Sequence, residues 1–275
     1  MTTQQPRVLS IAGTDPTGGA GIQADLKSIA AAGGYGMSVI TAVLAQNTRG
    51  VREIHTPPQN FLRAQLAAVF DDVIVDAVKV GMLGDVITTA TVSEALTGQS
   101  VPVVVVDPVM VATSGDRLLT ADAEEALRDF VREHATVVTP NIPELAVLLG
   151  EAPAADFPEA LQQGRRLAEG SGVTVLVKGG HLRGAMASNA LVDPAGGVHV
   201  IELDRVATKN THGTGCSLSS ALATRLVLDD SRAAATWASE WLHEAITHAD
   251  ALNVGRGNGP VDHFHRLRRL AGELG

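Results

Sequence analysis

The sequence contains one cysteine, Cys216, among 275 residues. An internal disulfide is therefore excluded, as is a multi-cysteine zinc or iron–sulfur site. Aromatic residues are scarce at 3%, which leaves little for the stacking platforms that hold single-stranded nucleic acid. Positive charge is short too. The 21 lysines and arginines face 30 acids, giving a formal net charge of -9, and a broad electrostatic grip on nucleic acid is disfavoured. No apolar run approaches the ~20 residues of a membrane span, and the dense run Val101–Val106 contains Pro102. Met1–Arg7 is polar and lacks the apolar core of a secretion signal. The expectation is a protein of the reducing cytoplasm with no nucleic-acid or membrane partner. What is present is an ordinary globular balance, 45% hydrophobic and 19% charged, in a chain long enough to bury a core without covalent staples. No repeat or long linker divides it, so residues 1–275 are expected to form one domain.

Short apolar runs alternate with helix-like stretches. Strands are predicted over Val8–Ala12, Val39–Ala45, Ile74–Val80, Val103–Val106, Thr136–Val138 and Val173–Val177. They are apolar throughout rather than alternating, as strands buried on both faces are. Helices are predicted over Ile22–Ala32, Asn60–Phe70, Asp85–Leu96, Ala121–Glu133 and Glu159–Glu169. This β–α alternation implies an α/β fold with a mainly parallel sheet. Asn189–Val192 and Val198–Glu202 read as a hairpin, followed by helices over about Thr214–Val227 and Ser231–Asn253.

Open parallel sheets bind ligands beyond the carboxyl ends of their strands. Polar residues follow the predicted strands in turn: Gly13-Thr14-Asp15, Gln46-Asn47, Gly81-Met82, Asp107-Pro108, Asn141 with Glu144, and Lys178-Gly179-Gly180. Two Gly-rich turns join them. Gly19–Ala24 matches the dinucleotide pattern G-x-G-x-x-A, but the second strand ends in Gln46 rather than the acid that would hold a ribose. A tight turn that lets backbone approach a small ligand fits better. Asp25 lies one turn into the following helix and can reach that ligand or simply favour the helix start. The second turn, Asn210–Cys216, precedes a helix of small residues and is not a Walker A loop. Free backbone amides there would make an anion site, and a plain turn before a packing helix is the equal alternative. Asp107 and Glu144 are oxygen donors of the kind Mg²⁺ takes, and Lys178 at a strand end suits a phosphate. His243 and His248 are five residues apart and so miss the H-E-x-x-H zinc pattern. His263 and His265 read as a terminal packing pair, and Trp237 with Trp241 as core or subunit contacts.

The segments Ile11–Lys27, Val39–Ala42 with Ala45–Val51, Val80–Leu83, Thr139–Glu144, Val177–His181, Thr208–Cys216 and Gly259–Phe264 together resemble hydroxymethylpyrimidine/phosphomethylpyrimidine kinases. The blocks run from about residue 9 to 265, nearly the whole chain. The resemblance implies a ribokinase-like fold with helices on both faces of the sheet and no separate lid domain. It implies ATP-dependent phosphorylation of 4-amino-5-hydroxymethyl-2-methylpyrimidine and then of its monophosphate, with Mg²⁺, by a homodimer in thiamine diphosphate synthesis. The positions matching the family's pyrimidine contacts are Asp25, Gln46 and Met82, with Gly13 and Val43 nearby. Asn141 and Glu144 match its Mg²⁺ and phosphate motif, and Asp107 the acid beside it. Lys178, Thr208, Lys209, Thr211 and Thr214 match the nucleotide side, and Gly213 and Gly215 the anion hole. Cys216 stands where the wider ribokinase pattern has an aspartate base. His212 and Lys209 nearby are expected to lower its thiol pKa. The alternatives are a pyridoxal kinase of the same fold and a non-catalytic pyrimidine-binding regulator.

Overall fold

The computed structural model describes residues 5–110 and 120–272. The chain runs β1 (Arg7–Gly13), α1 (Gly21–Ala31), β2 (Tyr35–Asn47), β3 (Gly50–His55), α2 (Gln59–Phe70), β4 (Ala77–Val80), α3 (Val86–Thr97) and β5 (Val103–Val106). It continues α4 (Ala121–His134), β6 (Val137–Val138), α5 (Ile142–Leu149), α6 (Phe157–Ser171), β7 (Thr174–Lys178), β8 (Asn189–Val192), β9 (Val198–Ile201), α7 (Thr214–Leu228), α8 (Ser231–Thr247) and α9 (His265–Leu270). These strands form one sheet in the order β3-β2-β1-β4-β5-β6-β7-β8-β9. The run from β2 to β7 is parallel, and β3, β8 and β9 join antiparallel.

Helices cover both faces, which is why the strands read as continuous apolar runs. Leu9, Ile11, Val78, Val80, Val104 and Val106 pack with Leu62, Val92, Leu127 and Leu145 in one layer. Val8, Ala77, Val105 and Leu176 pack with Ile29, Leu218, Leu222 and Trp241 in the other. One strand thus feeds two cores by simple alternation.

Two elements escaped the pattern. β3 is mostly exposed, so Val51-Arg52-Glu53-Ile54-His55 carries no hydrophobic period. It pairs with the far half of β2, whose near half pairs with β1. β2 therefore leaves the sheet as a two-stranded ribbon carrying Gln46, with a register break between Ala45 and Gln46. α5 is too short to leave a clear period, although Pro143 marks its first turn. Its capping box makes it: Asn141 Oδ1 accepts from the Glu144 amide at 2.9 Å, and Glu144 Oε2 accepts from the Asn141 amide at 2.8 Å. The last long helix ends at Thr247 and yields to a 3-10 turn over Ala249–Leu252, instead of reaching Asn253.

Candidate active site

The strand order places β2 and β4 on opposite sides of β1, so the chain reverses direction of travel there. Such a switch point opens a crevice at the carboxyl ends of the strands. A cavity of about 760 Å³ occupies it. At one end lie Gly13, Leu44, Gln46 and Met82; in the middle Asp107, Asn141, Glu144, Lys178 and the first turn of α7; at the other end Leu203, Val206, Leu242 and Ile246. Gly13 lies close under the tips of Met82 and Leu44: a Cβ there would stand 2.7 Å from Met82 Cε and 3.1 Å from Leu44 Cδ1.

The middle station concentrates charge. Lys178 Nζ donates to Asp107 Oδ1 at 2.9 Å and sits 3.8 Å from Glu144 Oε2. Thr139 Oγ1 donates to the same Asp107 oxygen at 3.2 Å. Burial pushes the Glu144 carboxyl up to about 7; Lys178 opposes that rise and Asp107 adds to it. Burial works to lower the Lys178 pKa, but Asp107 and Glu144 outweigh it and hold the ammonium above its usual range. Two acids against one lysine leave the station short of positive charge once both acids ionise. Among the described residues no group of three or more His, Cys, Asp or Glu gathers around an ion. The Asp107 and Glu144 carboxylates are oxygen donors of the kind a hard cation takes alongside waters and phosphate oxygens.

The two Gly-rich turns meet here. Asp15, buried, accepts from the Thr17 amide at 2.9 Å, the Thr17 hydroxyl at 2.7 Å, the Gly19 amide at 3.1 Å and the Ala20 amide at 2.9 Å. Its Oδ2 also meets His212 Nε2 at 2.7 Å. Burial works to raise the Asp15 pKa, but the bonds from His212 and Thr17 outweigh it and pull it down to about 2. His212 Nε2 then donates to Asp15, so the Gln46 amide nitrogen 3.4 Å from that atom gains no hydrogen bond there. Gly213 has φ +78, and a Cβ on it would overlap the Gly19 carbonyl. α7 starts from this glycine with no side-chain cap. Its first residues, Thr214, Gly215 and Cys216, line the cavity; the Thr214 amide donates to the Thr211 carbonyl at 3.4 Å, and those of Gly215 and Cys216 have no intrahelical acceptor.

Cys216 is half-buried as a residue. Burial pushes its thiol up to about 11, against the pull of Lys79 and of a hydrogen bond from the Gly21 amide. The expected lowering by His212 and Lys209 is not found. His212 is engaged by Asp15, and Lys209 lies on the exposed side beside Asp250.

Of the residues expected at the site, Gly13, Gln46, Met82, Asp107, Asn141, Glu144, Lys178, Thr211, Gly213, Thr214, Gly215 and Cys216 line one cavity. Four do not, and each has a physical reason. Asp25 is fully buried on the α1–α7 side of the sheet. Its carboxylate takes Lys79 Nζ at 2.8 and 2.9 Å, Ser10 Oγ at 2.6 Å and Ser220 Oγ at 2.8 Å. It is not among the residues that line the cavity. Val43 lies on the exposed side of the ribbon at 48% exposure. Thr208 and Lys209 are drawn outward by Asp250, which the Thr208 hydroxyl and the Asn210 amide group both bind. Asp15, the knot of the first turn, was placed at a strand end without a role of its own, and buried Lys79 was not flagged. Asp15-Pro16-Thr17 carries an Asx-turn signal, whereas Lys79 stands in a strand with nothing nearby in sequence to mark it. His263 binds Ser217 Oγ and His265 binds Glu244, so the terminal pair serves packing.

The model of the phosphomethylpyrimidine kinase family matches residues 15–262. The chain belongs to this family. A thiamine biosynthesis multifunctional protein of Corynebacterium efficiens is 61% identical over 271 residues, covering 97% of this chain and 36% of that protein. The chain thus spans about a third of that relative's length. The hydroxymethylpyrimidine/phosphomethylpyrimidine kinase of Escherichia coli is 47% identical over 94% of this chain and 97% of its own. The crystal structure of an ADP complex of Bacillus subtilis pyridoxal kinase superposes with a TM-score of 0.86 at 30% identity, covering 96% of this chain and 99% of that one. Fold and family agree with the mainly parallel, two-faced α/β architecture expected from the residues. No helix among the described residues is long and apolar enough to cross a membrane.

Proposed function

We propose that this chain phosphorylates 4-amino-5-hydroxymethyl-2-methylpyrimidine with ATP, and then phosphorylates the resulting monophosphate, in thiamine diphosphate synthesis. The observation that carries the reading is the middle station. The uncapped start of α7 and Lys178 line the same cavity as Gly13, Gln46 and Met82 from the β2-β1-β4 side of the sheet and Leu203, Val206, Leu242 and Ile246 from beyond the β8–β9 side. Gly13, Gln46 and Met82 suit a flat aminopyrimidine, because the Gln46 amide can donate and accept along one ring edge. Leu203, Val206, Leu242 and Ile246 suit a purine.

In this arrangement the hydroxymethyl oxygen attacks the γ-phosphorus, the bond from that phosphorus to the β,γ-bridging oxygen breaks, and ADP leaves. The Gly213–Cys216 amides and Lys178 gather the charge spread over the transferring group, and positioning supplies most of the rest. Asp107 and Glu144 would hold Mg²⁺, through waters at least in part. When bound, that ion would neutralise phosphate charge. With a thiol pushed up to about 11, Cys216 is protonated at neutral pH, so the alcohol proton passes to solvent or to a phosphate oxygen, late in a loose transition state.

The matching pyridoxal kinase fold supplies a second reading, since pyridoxal is also an aromatic hydroxymethyl heterocycle. The test is ATP consumption with three acceptors: the hydroxymethylpyrimidine, its monophosphate and pyridoxal. Turnover with the first two and a diphosphate product is expected. Turnover with pyridoxal alone would replace the proposal, and no turnover with any of them would leave a binding protein.

A further inference from the structure

The loop that follows β7 is built around one side chain. Arg205 donates from Nε to the Gly184 carbonyl at 2.8 Å, from Nη1 to Gly180 at 2.9 Å, and from Nη2 to Leu182 at 2.5 Å and Met186 at 3.0 Å. These are four alternate carbonyls of one loop turned onto one guanidinium. The Arg205 amide adds a bond to the Ala185 carbonyl at 2.7 Å. The next residue back is held from α8, where His243 Nε2 meets the Asp204 carbonyl at 3.0 Å. Gly180, His181 and Ala187 of the loop, and Leu203 to Val206 of the facing segment, line the cavity together with Leu242 and Ile246. A planar fork of five donors is the one side chain that can satisfy such a set. Lys178 and Gly179 are anchored separately, by the Pro140 and Ser188 carbonyls at 3.0 Å each.

We infer that Arg205 is a positioning residue for the nucleotide: it sets the shape of the wall against which the purine end of ATP binds, while the reacting centre is held independently. The inference rests on the cavity having the nucleotide at this end, as proposed above. Nothing in the sequence around Arg205 marks it, because its partners are backbone atoms of a loop some twenty residues earlier.

The experiment compares Arg205→Lys and Arg205→Gln with the unaltered protein. The measurements are KM for ATP, KM for the hydroxymethylpyrimidine, kcat, ADP affinity by calorimetry and the thermal midpoint. Loss of several of the four carbonyl bonds should raise KM for ATP and weaken ADP by about tenfold or more. The pyrimidine KM and kcat should stay within about threefold, since Lys178 and Gly179 keep their own anchors on Pro140 and Ser188. Arg205→Lys should behave like Arg205→Gln, because charge without the fork cannot span four carbonyls. Restoration by lysine, equal shifts in both KM values, or loss of cooperative unfolding in both variants would each overturn the assignment. Absence of ATP turnover in the unaltered protein would instead strike the proposed function. Retained ADP binding weakened by the same variants would still support the role of Arg205.

Discussion

Two turns of nearly the same composition open two helices onto one cavity, and they end in opposite states. In the first, Thr17–Gly21, the amides of Thr17, Gly19 and Ala20 all donate to Asp15. The chain carries its own anion there, held by amides that precede α1, whose own first turn has no side-chain cap. In the second, no side chain caps α7, and Gly213, with φ +78, turns the chain against Gly19. The first turn is a filled anion site and serves as a wall; the second is an open one and serves as the site. A Gly-rich turn before a helix is therefore ambiguous until the nearest carboxylate is located in space.

The largest effect should come from filling the open turn. A Cβ on Gly215 would stand 3.2 Å from Asp107 Oδ2 and 3.4 Å from Lys178 Nζ, in the space assigned to the transferring group. Gly215→Ala should lower kcat by about 10²–10³-fold with the thermal midpoint unchanged or raised, because alanine favours a helix. Gly213→Ala should lose stability as well as activity, since its Cβ would overlap the Gly19 carbonyl at a strained φ. Its midpoint should fall sharply, by an effect of about 1–3 kcal/mol or more. If Gly215→Ala loses activity only in proportion to lost stability, the open turn is not the site.

Opening the filled turn comes next. Asp15→Asn should cost about 2 kcal/mol of unfolding free energy near neutral pH. The Asp15 pKa lies at about 2 in the fold, below its usual 3.8. Its contribution is thus present above pH ~4 and lost as pH falls through about 2. Denaturant unfolding of both proteins from pH 7 to pH 2 should show the gap closing; a gap independent of pH would mean that the carboxylate charge does not hold the turn.

Glu144 sharpens the comparison from the other side, being an acid that burial disfavours. With a folded pKa of about 7, raised from its usual value, its contribution to stability is full below pH ~4.5 and lost as pH rises through about 7. Glu144→Gln keeps the capping box and cannot ionise. Relative to the unaltered protein it should gain on the order of 1–3 kcal/mol between pH 5 and pH 8, while its turnover falls. Urea unfolding at the two pH values reads the first effect, and a gain independent of pH would refute it.

The smallest effect is expected at Cys216. Its amide belongs to the open turn, but its thiol is held protonated, with a thiolate fraction below about one in a thousand near pH 7.5. Cys216→Ala should keep kcat within about tenfold. A loss of 10²–10⁴-fold with stability intact would show that the thiol acts as the base after all.

Much of the fold was legible because burial leaves a period. β5 falls at Val103–Val106 as expected, and β8 at Asn189–Val192, since apolar runs bounded by turn residues can be little else. The strand-end residues Asp107, Lys178 and Asn141 were found by the same logic: a parallel sheet sends whatever follows its strands to one edge. β3 was illegible because an exposed ribbon has no core to pattern it. Asp25 was misplaced because sequence spacing cannot tell which face of a helix meets the sheet.

The sequence by itself determined the strand order of chemistry: which residues follow which strands, and that a Gly-rich turn with small residues begins α7. Those facts are local, and local propensity and hydrophobic period encode them. Only the tertiary structure decided which groups are spent and which remain free. Asp15 consumes the first turn's amides and binds His212, 197 residues away; Lys79 consumes Asp25, 54 residues away; and Arg205 gathers carbonyls from a loop on the far side of the β8–β9 hairpin. Charges and hydrogen bonds act through space, over distances that chain separation does not measure, so the same carboxylate reads as a ligand in one dimension and as a buried strut in three.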